Sequence, residues 1–274
     1  MSSPRDPGRP TPGAAFDRLV ETMRTLRSPG GCAWDREQTL ASLRPFVLEE
    51  AYEVVDAIDR GDLAALREEI GDFVLEAVFL AQVAHEQGAF GIRDSLDAVC
   101  AKLVRRHPHV FGPADGAAPP LSADDVKRQW EAIKADERTS AGREPEALGE
   151  IPEALPALLR AYRIGKRAAT AGFDWTAPAE VEAKVDEELR ELREARTAGS
   201  RREVEEELGD LLFALANLAR HLDVDPEAAL RAANRKFAAR FRALEQRFRD
   251  RGSELRDASP AELDAEWRRV KGRE

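Results

Sequence analysis

Cysteine, histidine and aromatic residues are scarce in this 274-residue chain, with two Cys, four His and 6% Phe, Trp and Tyr together. Cys32 and Cys100 form no CxxC or Cys/His pattern. That argues against a structural zinc site or a disulfide scaffold and points to reduced thiols in a cytoplasmic protein. The residues three before His85, His107, His109 and His221 are Gln82, Val104, Arg106 and Leu218. The Glu-x-x-His signature of a di-iron bundle is therefore missing. No run is long and apolar enough to span a bilayer, so no membrane association is expected. Met1 to Gly13 is rich in Pro, Gly and Ser and has no apolar h-region, so it reads as a loose tail rather than a signal peptide. A basic excess is absent too. The formal net charge is −10, which argues against a general nucleic-acid binder but allows a small phosphorylated ligand held through a metal.

What the chain has in quantity is charge (34%) and helix-forming apolar periodicity, a globular composition with highly charged surfaces. One acidic pattern occurs twice. Glu49-Glu50-Ala51-Tyr52-Glu53 is followed by Glu69-Ile70-Gly71-Asp72, and Glu187-Glu188-Leu189-Arg190-Glu191 by Glu207-Leu208-Gly209-Asp210. From Glu50 to Asp72 is 22 positions, as it is from Glu188 to Asp210. Matched internal spacing makes this a duplication, and the rest of the chain is organised round it.

No convincing alternating strand is present, so the fold expected is all-α, two helical bundles in tandem. The segments are a tail over 1–13, an N-terminal domain over 14–137, a linker over 138–150 and a C-terminal domain over 151–274. In the first half a helix is expected from Ala14 to Leu26. Pro45 sits in the first turn of the next, whose buried stripe is Leu48, Ala51, Val55 and Ile58. Gly61 ends that helix and Asp62 caps a third, in which Leu63, Leu66, Ile70, Phe73, Val74, Ala77, Leu80 and Ala81 predict burial on a wide face. A further helix runs from Ile92 to His107, and one capped by Ser122 and Asp125 carries Trp130 and Lys134. The second half repeats the order. A helix covers Pro152 to Ala171, followed by the helix of Glu187, Glu188 and Glu191. Ser200 and Glu203 then form a capping box before the stripe Val204, Leu208, Leu211, Leu212, Leu215, Leu218 and Leu222. Asp225-Pro226 opens the helix of Asn234, Lys236 and Arg240. A last helix carries Trp267 and Lys271, four apart as are Trp130 and Lys134.

Two facing helices that each bring acidic residues make a dense negative site. Unpaired, those carboxylates repel one another and take up protons. A divalent cation resolves the conflict, and an all-oxygen donor set suits Mg²⁺ or Mn²⁺. A solitary acidic i, i+3 pair is ordinarily a solvated helix face. The duplication, and the position of the acids beside apolar stripes, argue for more here.

The duplicated E-E-x-x-E and E-x-x-D, the loop Gly31-Cys32-Ala33-Trp34-Asp35, and Arg105-Arg106-His107-Pro108-His109-Val110-Phe111 together resemble the MazG family. These are nucleoside triphosphate pyrophosphohydrolases of the all-α NTP pyrophosphatase superfamily, and the resemblance runs from Phe16 to Lys271. It implies Mg²⁺-dependent cleavage of a (d)NTP to the monophosphate and pyrophosphate, with Mn²⁺ as a substitute, by a homodimer of interlocking bundles. By the same resemblance Glu188, Glu191, Glu207 and Asp210 are the metal ligands, and Glu187 is an outer carboxylate or a base. Lys184, Lys236 and Arg240 hold phosphates, Asn234 bonds substrate or caps backbone, and Trp267 meets the nucleoside with Lys271 nearby. Trp34 and Trp175 read as packing anchors.

The first repeat keeps the matching acids Glu50, Glu53, Glu69 and Asp72 as a second metal site. It has Phe46 where the second has Lys184, and Cys100 where the second has Asn234. The C-terminal domain is therefore expected to carry the main activity, and the N-terminal one to be weaker or structural. Glu203 departs from the family pattern, which has a basic residue near the phosphates; Arg201 or Arg202 is the expected substitute. Two other functions fit the residues: a non-catalytic helical interaction module, and a narrower dUTP or dCTP pyrophosphatase.

Overall fold

The computed structural model describes residues 11–112, 122–140 and 147–272. Among these residues there are twelve α-helices and one 3₁₀ turn, and no strand. The chain divides into two compact units, Met1–Asp136 and Glu137–Glu274. No described helix is long and apolar enough to cross a membrane.

In the first unit α1 (Pro12–Arg27), α2 (Ala33–Glu37), α3 (Arg44–Arg60), α4 (Leu63–Glu86), α5 (Ile92–Arg106), α6 (Pro108–Phe111) and α7 (Ala123–Ser140) follow in order. Its centre is the hairpin of α3 and α4. Gly61 adopts φ +68°, a left-handed C-cap, and Asp62 accepts from the N–H groups of Ala64 and Ala65. These two residues reverse the chain so tightly that α3 and α4 must pack side by side. Met23, Leu43, Val78, Phe79 and Val83 form the core beneath them. Arg27, nearly buried, ties α1 to the end of α4 through Glu86 at 2.6 Å. The Arg27 guanidinium holds the Glu86 carboxyl below its ordinary range.

The second unit contains α8 (Ala157–Thr170), α9 (Pro178–Ala198), α10 (Arg201–His221), α11 (Pro226–Asp250) and α12 (Pro260–Lys271), with a 3₁₀ turn before α12. α9 and α10 form the same hairpin. Gly199 at φ +77° ends one helix, and the Ser200 hydroxyl accepts from Glu203 N–H at 3.4 Å to begin the next. Asp225 caps α11 with Pro226 at its start, as expected. α8 begins at Ala157 rather than at Pro152, because Pro156 disfavours the helical conformation at Leu155.

The expected stripes need correcting. Leu48, Ile58, Leu63, Ile70 and Phe73 are each 44% to 78% exposed. Leu208, Leu212, Leu215 and Leu222 on α10 are 41% to 54% exposed. Instead α10 buries Ala214, Ala216 and Asn217, and α4 buries Val78, Phe79, Ala81, Val83 and Ala84. Both helices carry apolar residues on more of their circumference than one unit has helices to cover. On α10 the face that meets its own unit carries small side chains, Ala214 and Ala216, whereas α4 turns the larger Val78, Phe79 and Val83 inward as well.

Candidate active site

The hairpins decide where the acids go. Glu50 lies on α3, and Glu69 and Asp72 one turn apart on α4; each offers a carboxylate oxygen within 4.8 Å of the others. Glu188 on α9 converges with Glu207 and Asp210 on α10 within the same limit. Six of the acids read from the duplicated pattern are thus brought together as two matching groups of three. Glu53 and Glu191 stand at the margins. Burial, then the charge and hydrogen bond of Glu53, raise the Glu69 pKa, while the Glu191 carboxylate is drawn to Arg190 at 2.9 Å.

Electrostatics follows from the crowding. Burial, then Glu53, Asp72, Glu69 and Glu49, push the Glu50 carboxyl above its ordinary value. Burial, then Glu191, Glu188, Asp210 and Glu206, do the same to Glu207. Glu50 Oε2 is buried with no hydrogen-bond partner. Hard oxygen donors that repel one another and leave lone pairs unsatisfied suit a divalent cation.

The two groups differ in one cation. Lys184 Nζ lies 2.7 Å from Glu188 and 2.9 Å from Glu187. Glu188 first, then Glu187, hold the ammonium firmly protonated by raising its pKa. The position of Lys184 in the first unit belongs to Phe46, which meets Trp34 edge-on at 5.8 Å and packs on the core. Trp34 is 52% exposed, so its packing role is one-sided. Trp175 packs edge-on against His221 at 6.4 Å.

The remaining expected residues lie on α11 and α12. Asn234 and Lys236 are exposed on α11, and Arg240 is half-buried there. The structure joins neither Asn234 nor Lys236 to the carboxylates by a hydrogen bond. Trp267 is 5.3 Å from Phe237, whose ring stacks on Phe241, and Lys271 Nζ lies 5.8 Å from the Trp267 ring. These rings border an apolar hollow of about 460 Å³. Glu203 is exposed in the first turn of α10, and Arg201 and Arg202 turn to Glu205 and Glu206 one turn on.

Residues outside the motifs support this frame. Glu266, 3% exposed, gathers Arg247 at 2.6 Å, Arg251 at 3.0 Å and Arg269, and so pins α12, next to Trp267, onto α11. Asp174 accepts from Arg220 Nη1 at 2.9 Å and meets His221 Nε2 at 3.1 Å, fastening the Trp175 loop to α10. Glu76 on α4 is buried and lies outside the duplicated pattern, and burial, then the charge of Glu50, push its carboxyl above the ordinary value. Its signal was a lone acid inside the apolar run Phe73 to Phe79.

Comparison with known proteins agrees with this geometry. Residues 38–111 match the model of the MazG nucleotide pyrophosphohydrolase domain, and residues 165–237 that of phosphoribosyl-ATP pyrophosphohydrolase. The chain is 46% identical over 260 residues to the nucleoside triphosphate pyrophosphohydrolase/pyrophosphatase MazG of Thermotoga maritima, covering 95% of this chain and 97% of that one. It belongs to the MazG family. The Escherichia coli (strain K12) nucleoside triphosphate pyrophosphohydrolase is 47% identical over 262 residues, 94% of this chain and 98% of that one. A crystal structure of a MazG-related protein from Thermotoga maritima matches at 29% identity and a TM-score of 0.37, covering 43% of this chain and 98% of that one. Both triads of converging acids fall inside the segments that match the two pyrophosphohydrolase models.

Proposed function

We propose that this MazG-family protein hydrolyses nucleoside triphosphates to monophosphate and pyrophosphate, with a divalent cation, Mg²⁺, held at the C-terminal acidic group. The observation that supports it most is the convergence of Glu188, Glu207 and Asp210, with Lys184 beside them, in a chain so similar to named nucleoside triphosphate pyrophosphohydrolases. Glu188, Glu191, Glu207 and Asp210 would hold the ion, Glu191 by leaving its surface pair with Arg190. When bound, the ion neutralises phosphate charge and makes the attacking water more acidic.

The chain's own groups do the rest. Lys184 is poised to exchange a carboxylate for a phosphate oxygen, which frees Glu187 to take the proton of the water. That water attacks the α-phosphorus, the bond from the α-phosphorus to the bridging oxygen breaks, and pyrophosphate leaves. Lys236 and Arg240 would balance charge on the departing phosphates. Trp267, beside Lys271, would stack on the base, and Asn234 would bond the substrate. The N-terminal group of Glu50, Glu53, Glu69 and Asp72 serves as a second metal site, weaker in turnover or structural, since it has Phe46 in place of Lys184. The exposed apolar residues Leu208, Leu212 and Leu215 recur at i, i+4 and i+7 on α10, a stripe that a second copy of the chain would cover in a homodimer. The setting is the cytoplasm, where Cys32 and Cys100, both free and exposed, stay reduced.

A panel of NTPs and dNTPs with Mg²⁺, followed by pyrophosphate release, tests this reading. Release should stop in excess chelator, return in part with Mn²⁺ and poorly with Ca²⁺, whose looser shell misplaces the reactants. Ratios of kcat/KM across the panel would separate broad clearance from a dUTP or dCTP enzyme. No release from any nucleotide would leave an interaction module.

A further inference from the structure

Glu188 is the buried member of the C-terminal acidic group, 5% exposed, beside the half-buried Glu207 and the exposed Asp210. A carboxylate so placed needs a positive partner. The structure gives it Lys184, one turn earlier on α9, whose Nζ lies 2.7 Å from Glu188 and 2.9 Å from Glu187. Lys184 itself keeps a path to solvent, with its side chain 36% exposed. The first unit shows the same arrangement without the lysine. Phe46 holds that place, and Glu50, the counterpart of Glu188, has its Oε2 buried with no hydrogen-bond partner. No oxygen of Glu188 is left in that state.

One carboxylate is thus claimed twice. Glu188 converges with Glu207 and Asp210, and it is bonded to an ammonium. A divalent ion held by those acids and a lysine on the same carboxylate repel each other. Phosphate oxygens reverse the sign. A lysine is a point charge on a flexible stem, so a triphosphate can draw it off Glu188 without moving α9. Once there, its charge holds the substrate instead of opposing the ion.

We propose that Lys184 is an internal counter-ion that competes with the divalent cation for Glu188, so that the C-terminal group takes up its ion strongly only together with the phosphates of a nucleotide. This rests on the reading that this group is the metal site of a nucleotide-cleaving enzyme. The lysine then has two successive tasks. It keeps the buried carboxylate neutralised when no substrate is present, and it couples the arrival of the nucleotide to the affinity for the ion. Such coupling is reciprocal, so the ion must raise the affinity for the nucleotide by the same factor.

The test is a Mn²⁺ titration of the full chain, stripped with chelator and dialysed, with free Mn²⁺ read by electron paramagnetic resonance. Asp210→Asn identifies the C-terminal site as the Mn²⁺ that this variant no longer binds. Without nucleotide, Lys184→Gln should bind Mn²⁺ at that site more tightly than wild type by about tenfold or more, since it removes a like charge from beside the ion. Should K184Q fail to fold, Lys184→Met replaces it, with the apolar character that Phe46 has in the first unit. In the second arm, equilibrium dialysis measures binding of the α,β-methylene analogues of ATP and dUTP, whose α–β link cannot be hydrolysed. Mn²⁺ should raise their affinity for wild type by a larger factor than for K184Q. A lysine that only braces the fold would lower the thermal midpoint of K184Q and leave Mn²⁺ binding as it was. Equal or weaker Mn²⁺ binding by K184Q, or the same Mn²⁺ enhancement of analogue binding in both chains, overturns the proposal while the metal reading stands. If D210N binds as much Mn²⁺ as wild type, the C-terminal metal reading falls and the proposal with it.

Discussion

Asp72 and Asp210 are the same residue type at the same place in two hairpins, and their neighbours make them unequal. Asp210 faces a group that contains Lys184, and Asp72 one that contains Phe46. Asp210→Asn keeps size and shape and removes a charge from the proposed catalytic ion. Pyrophosphate release should fall by at least about 100-fold with helicity retained, more than the loss of an outer-shell partner costs. Asp72→Asn should leave most of the activity. The opposite ranking, with both variants folded by circular dichroism, would move the catalytic centre to the first unit. Asp174 supports a second residue-scale expectation. The Arg220 guanidinium, followed by His221, lowers its pKa to about 2 from an ordinary 3.8. A lowered carboxylate pKa stabilises the fold above the unfolded value, and that stability is lost as pH falls through the folded one. Asp174→Asn should therefore lower the thermal midpoint at pH 7, and the gap to wild type should close between about pH 4 and pH 2.

Among the elements, α8 and α10 approach closely because Gly165 has no side chain. A Cβ there would fall onto Asn217 Oδ1, and Asn217 is 1% exposed with its amide donating to Phe213 O. Gly165→Ala gains helix propensity but forces that side chain from its place. The net should be a loss of about 1–3 kcal/mol in denaturant unfolding, as for other overpacked sites. α12 is held differently, by Leu244, Phe248 and Val270 packed together and by the Glu266 carboxylate among its arginines. Phe248→Ala should cost about 3–5 kcal/mol, typical of a buried aromatic. If α12 positions Trp267 for the base, KM should rise more than kcat falls. An unchanged KM would separate the helix from substrate binding.

For the whole molecule, the net charge of −10 and the exposed leucines of α10 pull in opposite directions. Charge keeps chains apart, whereas the apolar stripe needs cover. The protein is expected to sediment as a homodimer, and Leu215→Arg to shift it toward monomer. A monomeric wild type at micromolar concentration would remove the second copy from the account.

The helices and the acidic pattern were legible in the chain because they are local. Gly61 and Gly199, the caps Asp62, Ser200 and Asp225, and the i, i+3 spacing of Glu69 with Asp72 and Glu207 with Asp210 act over a turn or two of backbone. Two short hairpin connections then leave the acids no choice but to face one another. Periodicity could say that α4 and α10 are apolar, but not which face meets its own unit, since that depends on which helices are available to cover it. So the periodicity assigns Leu48, Ile70, Leu208 and Leu212 to the core, and they lie exposed. Nor could spacing show that Lys184 turns onto Glu188, that Glu266 collects three arginines, or that Gly165 lies against Asn217. Those are contacts between turns and between helices, and only packing in three dimensions sets them.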